Sequence, residues 1–244
     1  QPLTINGTTD IDTGTVSVDA DASIDGPVTV DGGTNVTELT VADGVTLTSS
    51  AGITVGAATA TAANAVLDVD GNVTGTVGAT AITNAGGAVQ LGDGIGITTV
   101  TGGLAQTGGT TTVESDTDVT EGIAVTGGTL AVNGGATLRA DTGGSAATDL
   151  VVSGPGIVEI AGGATLSAGV ISNAGGTINL NGASATLRGT ANTLTNAGAL
   201  TVADGGVVTD AGAITNAAGG TIAFNGNATF DADDNDDSGG TDAI

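Results

Sequence analysis

Asp231, Asp233, Asn235 and Asp237 place four oxygen-bearing side chains at alternate positions, with Gly239 next in phase. Hard oxygen ligands at that spacing resemble the start of a calcium loop. The distal Glu of an EF-hand is missing, so the stretch reads equally as an acidic tail. The nonapeptide GGxGxDxUx does not occur, so periodic calcium turns are not expected. Calcium is the one cofactor the sequence suggests. Catalytic chemistry is sparse: there is no His, Cys, Lys or Tyr. The usual nucleophile–base arrangements therefore have no parts. Paired carboxylates could serve a glycosidase, but no Trp or Tyr platform accompanies them. We expect a protein that is not an enzyme.

Four other sets of residues stand out by position. Asn84, Asn173, Asn196 and Asn216 recur at one phase of a sequence repeat. Amides stacked at an inward corner can hydrogen-bond along a ladder and satisfy turn carbonyls. Arg139 and Arg188, the only basic residues, share a second phase. They either neutralise acidic neighbours such as Asp141 or make salt bridges to a neighbouring subunit. Phe224 and Phe230, the only aromatic residues, fall in the last repeat and could close an open end or anchor a subunit interface. At the other end, Leu3-Thr4-Ile5-Asn6 alternates apolar and polar, as a capping or donated strand does. Sequons at Asn6, Asn35, Asn72 and Asn227 are no more than so much Ser and Thr yields by chance.

These residues need a scaffold that repeats. Apolar anchors recur at Val16, Leu39, Leu67, Val89, Thr111, Leu130, Val158, Ile178, Leu200 and Ile222, most often 22 residues apart. In most repeats a second apolar residue follows two positions later, so both lie on one face of a strand. Asp-Gly or Asn-Gly then turns a corner, as at Asp43-Gly44, Asp204-Gly205 and Asn225-Gly226. A third strand piece follows, for example Ala185-Thr186-Leu187. A preceding piece recurs as Ile171-Ser172-Asn173. Such short strands cannot bury an apolar face alone and must stack on copies of themselves. The 45 Gly disfavour helix, and the scarcity of aromatics leaves a narrow core of Val, Ile, Leu and Ala. The expected fold is all-β: a right-handed parallel β-helix, a three-sided β-solenoid of about ten turns. Residues 1–230 form one domain, with corner insertions near 48–65 and 139–149. Residues 231–244 form the acidic tail.

The formal charge is −24. Nucleic acid and anionic membranes both require basic patches, so neither is an expected partner. No apolar run reaches membrane-spanning length, and the first residues do not read as a signal peptide. We therefore expect a mature, exported chain with no membrane insertion.

The run GGTINLNGASATL and its echoes GGTLAVNGGATL and GGTIAFNGNATF resemble the repeats of bacterial autotransporter passengers and filamentous-haemagglutinin-type surface proteins. The resemblance covers roughly residues 82–230. It implies a right-handed parallel β-helix, export to the cell surface and a role as stalk, adhesin or fibre. With no anchoring barrel or secretion domain read after the repeats, we expect a self-contained subunit. The first expectation is a structural subunit of an extracellular filament, tube or surface layer, its partner being further copies of itself, joined by head-to-tail stacking or strand exchange between solenoids. The second is an adhesin or stalk that binds a glycan. A third, ice binding, needs rows of Thr-x-Thr at one phase. The pairs at Thr46/Thr48, Thr110/Thr112 and Thr193/Thr195 do not share one.

Overall fold

In the computed structural model, residues 3–56, 62–140, 149–210 and 212–231 are described. They form a parallel β-solenoid of about ten turns. The one helical segment among them is the single 3-10 turn Ala62–Asn64.

Each turn contributes strands to three parallel ladders. The central ladder runs from Gly14–Val18 to Thr221–Phe224. The leading ladder precedes it in each turn and runs from Thr9–Ile11 to Ala213–Asn216. The trailing ladder follows it and runs to Thr229–Asp231. The trailing ladder begins one strand early, at Leu3–Asn6, which pairs in parallel with Ala22–Asp25. The first strand is thus paired on one side within its own chain.

The register is that of the sequence repeat. The ten anchors, from Val16 through Thr111 to Ile222, pair in one unbroken column. A one-residue slip anywhere would turn the apolar set outward, so burial fixes the alignment. The column is buried at Leu39, Leu67, Leu130, Val158 and Leu200. Val16 and Ile222, its two ends, are not.

Two kinds of glycine shape the corners. Gly44 (φ +70°) and Gly205 (φ +72°) occupy the left-handed region that L side chains avoid. Gly71 is required for a different reason. A Cβ there would lie 2.3 Å from the Val45 carbonyl oxygen and 2.4 Å from that of Ala42. The corner is drawn tight by hydrogen bonds from the Gly71 and Asn72 amides to the Val41 and Val45 carbonyls.

Some residues within or beside the ranges read as corner insertions belong to the wall ladders. Thr46–Ser49 and Ile53–Val55, read as part of the first, are wall strands paired on both sides. At the second, the Ala140 amide donates to the Ser167 carbonyl in the ladder. The Asp149 carbonyl accepts from the Ile123 amide, and its carboxylate accepts from the Val170 amide. Ladder hydrogen bonds hold these flanking residues in the wall.

Candidate functional site: the two open ends

The asparagine column is where inward polar side chains concentrate. It passes through Asn84, Gln106, Val125, Val152, Asn173, Asn196 and Asn216. Two valines therefore divide it into two networks. In the later one, Asn173 Nδ2 donates to Asn196 Oδ1 at 2.8 Å, and Asn196 Nδ2 donates to Asn216 Oδ1 at 2.8 Å. The same donors reach the Ala199 and Thr221 carbonyls, both at 3.0 Å. Asn216 ends the run by donating to the Gly220 carbonyl. Asn173 Oδ1 has no donor among the described residues, because the position before it in the column is Val152.

In the earlier network, Asn84 Nδ2 donates to the Thr110 carbonyl and to Thr111 Oγ1. Gln106 Nε2 donates to the Gly108 and Gly109 carbonyls, and the Thr111 hydroxyl donates to Gln106 Oε1. Gln106 takes an asparagine's place in the column. Its signal is its context: Leu104-Ala-Gln106-Thr-Gly-Gly parallels Ile82-Thr-Asn84-Ala-Gly-Gly. Asn84, Gln106, Asn173 and Asn196 are buried, and their amide groups donate to corner carbonyls and to one another, the pattern of corner fasteners.

Arg139 bridges Asp116 Oδ2 at 3.3 Å and Asp118 Oδ1 at 3.1 Å, both on the preceding turn. The suggested neighbour Asp141 lies outside the described residues. Arg188 stands in the same column two turns on, with Ser167 between. Both arginines lie on the flank of the coil, away from its ends. Arg139 is paired with acidic neighbours of its own chain, the first of the two readings its sequence position offered. A bridge this exposed stabilises by about 0–1 kcal/mol.

Asp231 closes the last trailing strand. The other residues of the candidate calcium loop, Asp233, Asn235 and Asp237, lie outside the described residues. A different acidic group emerges near the first turn. Carboxylate oxygens of Asp10, Asp12 and Asp31 lie within 4.8 Å of one another. Hard oxygen donors this close could contribute to a divalent-cation site. The sequence hid the group because Asp12 and Asp31 meet only once the register Ile11↔Val30 is known.

A second acidic set lies on the central ladder. Burial, then the charges of Asp70, Glu38 and Asp93, pushes the Asp68 carboxyl above its ordinary range. Burial, then Asp93 and Asp43, does the same to Asp70. A raised carboxyl pKa means the folded state holds a proton more tightly than the unfolded chain does. Stability therefore falls as pH rises from the ordinary carboxylate value through the raised one. Acidifying from neutral toward about pH 4 should accordingly raise the melting temperature. Asp68→Asn should raise it at neutral pH and flatten that dependence. A melting curve for Asp68→Asn as pH-dependent as the wild type's would count against this account.

The outward trailing face carries a hydroxyl column: Thr4, Ser23, Thr48, Thr74, Thr101 and Thr120. The column two residues earlier runs Thr46, Asn72, Thr99, Asp118 and Arg139. Its charged members interrupt any uniform Thr-x-Thr face.

The ends themselves differ. At the first turn a cavity of about 360 Å³ opens onto the core, lined by Leu3, Ile5, Ile11, Val16, Val18 and Leu39 among others. Leu3 and Val16 are 61% and 42% exposed. Ala20 and Ala22 are among its lining residues. Leu47 occupies the column of Ala22 one turn on. At the last turn Phe224 and Phe230 pack edge to face, ring centroids 5.2 Å apart, with Phe224 44% exposed. Bulk at one end thus mirrors a hollow at the other.

Comparison with known family models, with curated proteins and with solved structures finds no match to this chain.

Proposed function

We propose that this chain is a structural subunit of an extracellular, self-assembling filament, tube or surface layer. The observation that carries the reading is the state of the two end turns. Each presents three strands with one edge unpaired by any described segment, and each exposes apolar side chains that interior turns bury. Open edges of this kind template further strand pairing. We take the coil as right-handed, the sense of parallel crossovers, and as three-sided, one side per ladder. The acidic surface suits a soluble exterior and a non-enzymatic, scaffolding role. The resemblance of the repeats to those of surface fibres points the same way.

The test is electron microscopy and size analysis of the full chain, with and without a calcium chelator, across salt concentration. Fibres or multimers are expected. A monodisperse monomer under every condition would overturn the reading.

A second reading, a glycan-binding stalk, draws on the hydroxyl column from Thr4 to Thr120, which offers donors and acceptors at strand spacing. It predicts a monomeric rod with measurable affinity for a polysaccharide.

A further inference from the structure

We propose that the subunits join head to tail in one specific way. The last turn of one copy, led by Phe224 and Phe230, seats on the first turn of the next and fills its apolar cavity. The proposal rests on the self-assembly reading and names the surfaces that carry it.

The internal contacts say what covers a turn of this coil: another turn, in parallel and in register. The strand pairings across all three ladders are parallel. Only a tail-to-head contact preserves that direction. Two heads or two tails would meet with strands reversed. Each end offers one strand per ladder. Ala213–Asn216 would meet Thr9–Ile11, Thr221–Phe224 would meet Gly14–Val18, and Thr229–Asp231 would meet Leu3–Asn6.

The side chains agree with this pairing. Continuing the central columns places Ile222 on the next copy's Val16 and Phe224 on its Val18. These are the ends of columns that every interior turn closes with Val, Leu, Ile or Thr. The leading column places Asn216 on Ile11. That contact is tolerable because the Asn216 amide is already spent on Asn196 and Gly220. A turn of about 22 residues on each side also falls within the roughly 20–30 residues a side of a stable interface.

Charge opposes the contact. Asp19 and Asp21 line the cavity, Asp10, Asp12 and Asp31 cluster beside it, and Asp231 and Asp204 lie at the other end. Like charges repel over about a Debye length, roughly 10 Å at 0.1 M salt and 3 Å at 1 M. Association should therefore strengthen with ionic strength.

The experiment blocks one end at a time in the full chain. Val16→Asp spoils the head and Phe224→Asp the tail. In concentrated NaCl the wild type should grow beyond two copies. Each variant alone should remain monomeric, and an equimolar mixture should form a dimer of twice the monomer mass. That dimer needs one intact head and one intact tail, so its appearance also shows that both variants fold. Dimers of Phe224→Asp alone would mean head-to-head contact, and dimers of Val16→Asp alone tail-to-tail. Either would overturn this proposal while leaving self-assembly standing, as would fibres that both variants still form. Equally, variants monomeric alone and in mixture, with their β-sheet spectra intact, would overturn it. A wild type that never associates would remove the assembly reading itself.

Discussion

Asn196→Ala should lower stability by about 3 kcal/mol, from unsatisfied buried groups at about 1–3 kcal/mol each. The substitution removes the acceptor of Asn173 Nδ2 and the donor that serves Asn216 Oδ1 and the Thr221 carbonyl. For a chain of this size that is a fall in melting temperature on the order of 10 °C. The loss should be local, because each turn of a solenoid contacts only its neighbours. Hydrogen exchange should show the last turns opening first, with the central turns protected as before. Asn216→Ala provides the comparison. It sits at the exposed end, where water can replace the lost bonds, and should cost clearly less. Equal melting temperatures for Asn196→Ala and wild type would sink the ladder as a source of stability.

Gly71→Ala should be the more damaging of two corner substitutions that look alike in sequence. The added methyl would press on two backbone carbonyls that cannot turn aside, since both sit in a corner closed by hydrogen bonds. Overpacking of this sort costs about 1–3 kcal/mol and more where backbone must move. Gly44→Ala meets nothing within 4 Å and bears only the left-handed backbone, about 1–2 kcal/mol. Thermal melts of the two variants should rank Gly71→Ala below Gly44→Ala. The reverse order would mean that backbone conformation, not contact, governs the Gly71 corner.

Much of the architecture is legible in the sequence because the repeat carries its own register. Alternation of apolar and polar residues fixes which face points inward, and recurrence about every 22 residues fixes which strands stack. Thr111 illustrates the strength of that signal: a polar anchor that nevertheless takes its place in the column and is buried. The site-level features were less legible because they depend on what lies above and below. Arg139 finds its partners, Asp116 and Asp118, a turn back rather than beside it in the chain. Asp12 and Asp31 become neighbours only through a ladder pairing. The cavity at the first turn is lined by residues from Leu3, Ile11 and Val16 as far as Leu47, which only the fold brings together. The asparagines are visible as a phase, but Val125 and Val152 split the column only once the ladder pairing is known.

The unbroken central column has an evolutionary corollary. Duplicating or deleting one repeat in the gene would add or remove one turn, about 4.8 Å of length, without disturbing the register of the rest. Neither the hollow first turn nor the aromatic last one would change. Length and end chemistry can thus be inherited and selected as separate traits.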